Sequence, residues 1–375
     1  MLQKILLAGV ENEDEPPLGL SVEGKFKRLG LTNPSVIQHY ENGRPTNKLS
    51  LFPRLIYSEG DLEKSCILRQ EAEIYRGSVR MLPGEKVVLG YSEPHASRGR
   101  EDLRLCKLHR EKPWHCFVVV HNGFDMRTEY IRTQDLEHFE KFEIYFPNIY
   151  VDEAIDIVTN EGYKQRWIKE CGKDAIKEKK KNGFWVPERP FLPTKDCFLW
   201  PVKVLRKNSS GQEKKYYAVI IRLLPNIQVA YLESFKDLAE REFWQNLVKN
   251  IDDYLVIGRK YDWEESHIGA ETSPLMLKEG ALMFYHGVTQ NHGIVYKGGA
   301  VLLDRNNPQR ILGRTKNPIL EPTEPWEMDS VTDKKVVFPS GHAVLNGKIH
   351  MFYGIGDRRI AYTTTSKQKL LDKLS

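Results

Sequence analysis

Short runs of apolar and aromatic residues, each closed by a turn, recur along this chain. Four segments carry the pattern most clearly: Glu111–Gly123, Lys214–Arg222, Glu279–Gly287 and Asn346–Gly354. Each opens on a polar or glycine-containing turn, continues as an aromatic and aliphatic strand, and ends on a polar residue or glycine. An apolar strand precedes each at a similar interval, over Leu103–Leu108, Phe198–Leu205, Pro274–Leu277 and Val336–Val344. Another follows, over Thr128–Arg132, Ile227–Tyr231, Ile294–Leu303 and Arg359–Thr364. A looser copy runs from Asn33 to Tyr57. Hairpin-linked short strands in five copies predict an all-β fold, a five-bladed β-propeller of small antiparallel sheets around a channel. A β-sandwich or a pair of β-domains is the competing arrangement.

Helical spacing is confined to Val151–Lys181, Lys236–Lys249 and a short terminal helix from Ser366. The stretch 147–193 breaks the strand rhythm. It reads as a partly helical insertion between blades two and three of a single domain spanning residues 1–375. The pair Gly298-Gly299, after Ile294-Val295-Tyr296, reads as a hairpin turn, since it lacks the strand–loop–helix context of a nucleotide-binding loop.

Composition narrows the partners. The 375 residues include 56 basic and 51 acidic side chains, a net charge of +5, too weak a bias to point to nucleic acid or an anionic membrane. The one dense basic run, Lys177–Lys181, reads as a solvated helix face. The five cysteines (Cys66, Cys106, Cys116, Cys171, Cys197) are odd in number and lack CxxC spacing, which fits free thiols in a reducing compartment and no zinc site. Met1–Val10 lacks the length and cleavage site of a signal peptide, and no run is long enough to span a membrane. The expectation is a cytoplasmic protein; its oligomeric state is left open.

In a propeller, equivalent strand ends meet at one mouth of the channel, so polar residues at the same phase of different repeats converge. First strands contribute Asn33, Glu101-Asp102 and Lys195-Asp196. Second strands contribute Arg54, His121-Asn122, Arg222, Tyr285-His286 and, just beyond, Asp357; Arg127 opens a third strand. Taken singly these are ordinary. Asp102, among Arg98, Arg100 and Arg104, would be a surface ion-pair residue, and His286 in its aromatic strand a core histidine. Arg222, between Ile221 and Leu223, demands a partner carboxylate or anion, because an unpaired buried charge is costly. Shared phase is the argument for a site.

Glu101-Asp102-Leu103-Arg104 resembles the Glu-Asp-Pro-Arg motif of glycoside hydrolase family 130, the β-mannoside phosphorylases and related mannosidases. Lys195-Asp196 with Leu199-Trp200-Pro201, Tyr285-His286-Gly287-Val288, the segment Gly298–Asp304 with Arg314, and Tyr353–Asp357 are similar to further motifs of that family, over residues 28–365. Two departures stand out: Leu103 replaces the usual proline, and no histidine precedes Arg222.

The resemblance implies roles. Asp102 corresponds to the catalytic acid that protonates the glycosidic oxygen, in some members through a sugar hydroxyl. Asn33, Arg54 and Asp357 fall where the family holds the terminal mannose, with Glu101 beside them. Arg127, Lys195 and His286 fall where its phosphorylases hold phosphate. The chemistry agrees: an inverting hydrolase needs a second carboxylate to activate water, whereas a phosphorylase needs one acid plus cations for its anionic nucleophile. The expected activity is therefore inverting phosphorolysis of a β-mannoside to α-mannose 1-phosphate. Small oligosaccharide and inorganic phosphate are its co-substrates, and no cofactor or metal is expected. Asp102 must then hold a proton near neutral pH, with burial, Glu101 and Asp357 as candidate causes. The alternatives are a phosphate-independent β-mannosidase, with Glu153, Glu188 or Glu271 as base, and a non-catalytic carbohydrate-binding propeller.

Overall fold

The computed structural model describes residues 3–9, 13–22, 24–92, 94–108, 111–171, 189–207, 210–291, 293–330 and 334–374. The Lys177–Lys181 run and Glu188 lie outside them. The chain is mostly β. After an N-terminal strand, β1 (Lys4–Ala8), come five runs of antiparallel neighbours. The first is β2 (Phe26–Glu41), β3 (Arg44–Glu59), β4 (Leu62–Tyr75) and β5 (Ser78–Leu89). The second is β6 (Gly99–Cys106), β7 (Trp114–His121), β8 (Met126–Thr133) and β9 (Phe139–Phe146). The third is β10 (Lys195–Leu199), β11 (Val204–Lys207), β12 (Glu213–Leu223), β13 (Asn226–Leu232) and β14 (Leu255–Ile257). The fourth is β15 (His267–Ala270), β16 (Leu275–Met276), β17 (Ala281–Thr289), β18 (Val295–Asp304) and β19 (Asn307–Arg314). The fifth is β20 (Lys335–Leu345), β21 (Lys348–Ile355) and β22 (Arg359–Ser366), on whose edge β1 lies antiparallel.

The repeated aromatic strands are apolar on both faces because each run packs against its neighbours on two sides. Phe52 and Ile67 of the first run meet Leu103 and Val118 of the second. Phe117 and Phe146 meet Val219 and Ile221 of the third. Phe198 and Ile220 meet Met283 and Tyr285 of the fourth, and Leu282 and Phe284 meet Met351 and Tyr353 of the fifth. Phe352 and Tyr362 of the fifth then pack on Leu49 and Leu51 of the first. Full burial of a side chain of this size stabilises by about 1.5–3 kcal/mol, so these contacts hold the runs in a fixed relation.

Several expectations need correction. Gly298 and Gly299 form no turn; they lie inside β18, opposite His286 and Tyr285. Their missing side chains make room instead: a Cβ at Gly298 would come 2.8 Å from the Pro339 ring, and one at Gly299 2.8 Å from the Tyr285 ring. The first strand of the fourth run is β15, ahead of the expected Pro274–Leu277, which holds only β16. The apolar run near the N-terminus is strand β1, and the outer strands β9, β14 and β19 lie beyond the strands expected from the repeat.

Helices are few. The 151–181 candidate gives α1 (Val151–Ile157) and α2 (Glu161–Cys171); residues 172–181 are outside the described set. Helix α3 (Arg241–Lys249) follows a 3-10 turn at Phe235–Ala239, and α4 (Lys367–Leu371) is capped by the Ser366 hydroxyl, which accepts from the Lys369 N–H. None of these helices is long and apolar enough to cross a membrane. All five cysteines are free thiols, and Cys171 alone is more than slightly exposed. Helix α2 docks on the end of the third run: Tyr163 accepts from Asn226 (3.0 Å) and Gln228 (2.8 Å), and the Trp167 indole donates to the Leu224 carbonyl (2.8 Å).

Candidate active site

Three first strands carry the same irregularity. Between Thr32 and Ser35 of β2, three steps face two on β3; the same holds between Glu101 and Arg104 of β6, and between Lys195 and Phe198 of β10. Each bulge contains one residue in the left-handed region: Asn33 (φ 48°), Asp102 (φ 51°) and Asp196 (φ 57°). Asn and Asp tolerate that conformation better than other side chains bearing a Cβ, which explains the residue type at this phase. A bulge also re-aims the side chain it carries. Asp357 (φ 58°) lies in the turn after β21.

These bulges gather the site. The Asn33 amide donates to Asp102 Oδ1 at 2.9 Å. Arg54 binds Glu101 Oε1 at 2.8 Å, and Lys195 approaches Glu101 Oε2 at 3.3 Å. Arg222 binds Asp196 Oδ2 at 2.8 Å, supplying the partner its apolar strand required. Its NH1 also lies 3.5 Å from His286 Nε2. Asp357 is an electrostatic neighbour of Arg54 and of Tyr296. Asn33, Arg54, Glu101, Asp102, Lys195 and Asp357 are thus brought together.

Two expected residues sit differently. His286 is fully buried, its Nδ1 hydrogen-bonded to Glu271, and it meets the Arg222–Asp196 pair through Arg222. Arg127 sits over Phe191, its guanidinium carbon 4.0 Å from the ring centroid, and donates to the Tyr145 carbonyl. It borders the group through its neighbour Met126, whose carbonyl accepts from the N–H of Thr194 (3.3 Å). Of the candidate bases, Glu153 is away from the site, paired with Arg241 and bonded by Gln245 on α3. Glu271 is inside it.

Charge is strongly organised. Burial opposes ionisation of Glu101, but Arg54 and Lys195 hold its carboxyl down to about 2. Burial also opposes the charge on Arg54, yet the carboxylates of Glu101, Asp102 and Asp357 raise it above its ordinary value. Burial lowers Arg127 to about 10 and keeps the His121 imidazole below its usual range, against the pull of Glu101. Among the described residues Asp102 has no ion pair, unlike Glu101 and Asp196 beside it. No group of three His, Cys, Asp or Glu among the described residues is arranged to hold a metal ion.

Sequence reasoning underrated four members: Asp196, Arg222, Tyr296 and Glu271. The first two shared the phase of the accepted residues. Tyr296 opens β18 as Arg127 opens β8, and its ring centroid lies 5.4 Å from that of His286. Glu271 follows a strand that was not foreseen. Gly269, on that strand, allows the approach: a Cβ there would collide with the Asp196 carboxylate and the His286 ring.

Comparison with known proteins gives the family. A family model described as β-1,4-mannooligosaccharide phosphorylase, glycoside hydrolase family 130, matches residues 178–375. A 1,2-β-oligomannan phosphorylase of Thermoanaerobacter sp. (strain X514) is 32% identical over 349 residues, 92% of each chain. A β-1,2-mannobiose phosphorylase of Listeria innocua is 30% identical over 188 residues, 49% of this chain and 47% of that one. The solved structure of a Listeria innocua β-1,2-mannobiose phosphorylase with β-1,2-mannobiose shares the fold, with a TM-score of 0.62 at 18% identity over 93% of both chains. The protein is therefore a carbohydrate-active enzyme of the phosphorylase and glycosidase class. The chain belongs to glycoside hydrolase family 130.

Proposed function

We propose that this enzyme is an inverting phosphorylase of β-mannosides, with β-1,2-linked mannooligosaccharides as the first substrates to try. The observation that carries the reading is the division of labour among three neighbouring carboxyls. Glu101 and Asp196 are held by cations, whereas Asp102 is held by the neutral amide of Asn33. Asp102 can therefore give up and regain a proton without breaking an ion pair, as a general acid must. In this reading a phosphate oxygen attacks the anomeric carbon on the face opposite the leaving group. The C1–O bond breaks, its electron pair stays on the departing oxygen, and that oxygen takes the proton of Asp102, directly or through a sugar hydroxyl. The product is α-mannose 1-phosphate and a shortened acceptor. Lys195, Arg127 and His286 serve the phosphate, with Arg222 beside them; Asn33, Arg54 and Asp357 serve the terminal mannose. The linkage follows the activities of the Thermoanaerobacter and Listeria relatives.

The five packed runs read as blades of one five-bladed propeller over the whole chain, with 147–193 an insertion between the second and third blades. Phosphate is a co-substrate and no cofactor is invoked. The hydrolase reading loses ground on geometry: Glu271 is fully buried against His286, a poor position from which to activate water. The test is incubation with β-1,2- and β-1,4-mannobiose, with and without phosphate. Phosphate-dependent mannose 1-phosphate supports the reading, and free mannose at equal rate without phosphate overturns it.

A further inference from the structure

Strand β15 turns one more polar side chain toward the site. Alternation along a strand puts His267, Gly269 and Glu271 on one side. That side faces the site, since a Cβ at Gly269 would collide with the Asp196 carboxylate and the His286 ring, and Glu271 bonds His286 Nδ1. Glu271 has no exposure, whereas His267, paired with Val288 two residues beyond His286 on β17, keeps 8% of its surface open. The His267 ring stands edge-on to the rings of His286 and Tyr296, 6.1 Å from each. Both nitrogens of His286 are engaged inside the protein, Nδ1 with Glu271 and Nε2 with Arg222 NH1 at 3.5 Å. A guanidinium only donates, so His286 Nε2 accepts, and this histidine serves the site by holding Arg222. His267 is bonded at Nδ1, and its Nε2 has no hydrogen bond among the described residues.

We propose that His267 is a phosphate-binding residue, donating Nε2–H to the anion beside Arg222, and that Ser266 is its positioning residue, held in turn by Arg166 of helix α2. The proposal rests on the phosphorylase reading. It gives the helical stretch between the second and third runs a part in the site. Helix α2 aims Arg166 by its docking: Tyr163 and Trp167, three residues before it and one after, are the side chains that bind Asn226, Gln228 and the Leu224 carbonyl. Glu170, one turn further on, pairs with Arg166 at 3.1 Å.

Hydrogen bonding decides which nitrogen of His267 carries the proton. Ser266 is buried, and its Oγ lies 3.1 Å from Arg166 NH2 and 3.0 Å from His267 Nδ1. Arg166 can only donate, so Ser266 Oγ accepts from it. The hydroxyl hydrogen then has one acceptor among the described residues, Nδ1. Were Nδ1 protonated, that hydrogen would be buried without a partner, which is costly. Ser266 therefore donates to Nδ1, and the neutral ring carries its proton on Nε2, where an anion needs a donor. The charges around the ring agree. Facing it are Arg222 from β12, His286 from β17, Tyr296 from β18, Arg166 from α2 and Arg259. Burial, then Arg222, press the imidazole down to about 2, so the ring stays neutral across neutral pH.

The test uses the full chain, with kinetics in both co-substrates. His267→Ala is expected to raise KM for inorganic phosphate by about tenfold or more, with KM for β-1,2-mannobiose changed less than about threefold. Ser266→Ala should raise the phosphate KM by about tenfold. Arg166→Ala should raise it by about threefold, and should add nothing in the Ser266→Ala background, because it acts through that hydroxyl. On 15N-histidine-labelled wild type, long-range 1H–15N correlation should show His267, assigned by its absence from His267→Gln, as the neutral Nε2–H tautomer from about pH 6 to 8. A charged or Nδ1–H ring, an unchanged phosphate KM in His267→Ala, equal rises in both KM values, or an Arg166→Ala effect undiminished without Ser266 would each overturn the proposal. Should a variant not fold, the wild-type spectrum decides: added inorganic phosphate should shift the His267 Nε2 resonance, and no shift overturns the assignment. Phosphate-independent release of mannose by the wild type would remove the phosphorylase reading, and the proposal with it, before any variant is made; the other failures arise with that reading intact.

Discussion

Two glutamates with no exposure, Glu327 and Glu271, sit in opposite circumstances. Glu327 accepts from Lys4 Nζ at 2.6 Å, from the N–H groups of Thr323 (2.7 Å) and Glu324 (2.9 Å), and from the Tyr353 hydroxyl (3.0 Å). The preceding run repeats the device: Glu264 accepts from Arg314 (2.7 Å), Lys260 N–H (2.7 Å), Tyr261 N–H (3.1 Å) and the Tyr285 hydroxyl (2.7 Å). Glu271 has His286 on one oxygen and nothing bonded to the other. A buried carboxyl is tolerable when its lone pairs are filled and a cation offsets its charge. Glu327 and Glu264 meet that condition and act as fasteners; the first pins strand β1 to the rest of the fold. Glu271 does not meet it, and the polar groups around it are similarly underfilled, with Arg104 Nε and NH2 and Arg222 Nε lacking hydrogen-bond partners. Sites that bind and react are where such deficits are kept.

Breaking each kind of carboxyl should therefore cost a different property. The largest effect is expected at the acid. Asp102→Asn should lower kcat by on the order of 10²–10⁴-fold, with melting temperature and mannoside binding little changed. Mannose 1-phosphate formation, calorimetry of mannoside binding and a thermal melt check this; a variant that keeps its rate removes Asp102 from the mechanism. Glu327→Ala should do the reverse. It removes the carboxylate that offsets the Lys4 charge and the acceptor of the Tyr353 hydroxyl, and is expected to destabilise by about 3–5 kcal/mol, with kcat intact at temperatures where the variant stays folded. Loss of activity without loss of stability would break the contrast. Gly269→Ala falls between: its Cβ would force apart Asp196 and His286, at about 1–3 kcal/mol, and because those groups belong to the site, activity should fall as well.

The contrast also explains what the sequence revealed. The fasteners contain tyrosines of the repeated aromatic strands, Tyr285 and Tyr353, so the runs themselves were legible from pattern alone. The bulge residues Asn33, Asp102 and Asp196 were legible as a shared phase, since a repeat brings equivalent positions together whatever their identity. Glu271 was weighed only as a base, because its function depends on a partner fifteen positions away and on β15, a strand of four residues. Arg127 and His286 were found by phase and motif, but phase could not tell that one lies on Phe191 and the other behind Arg222. Register and residue type are written in the local sequence; which lone pairs are filled is decided by contacts between runs.

The smallest predicted effect sharpens the comparison from a third carboxyl. Glu101 lies in the site yet is saturated with cations, Arg54 at 2.8 Å and Lys195 at 3.3 Å. Its carboxyl is held at about 2 in the folded protein, below the ordinary value of 4.5. A depressed carboxyl contributes stability that is fully present above the unfolded value and is lost as pH falls through the folded one. The Arg54–Glu101–Lys195 group should therefore add nothing to the pH dependence of stability between about pH 6 and 8, and weaken only as pH drops from roughly 4.5 toward 2. Denaturant titrations of wild type and Glu101→Gln should run parallel at neutral pH and converge in acid. If the two curves separated further on acidification, Glu101 would be a strained carboxyl like Glu271 rather than a saturated one like Glu327, and the division between fasteners and reactive groups would not follow from filled lone pairs.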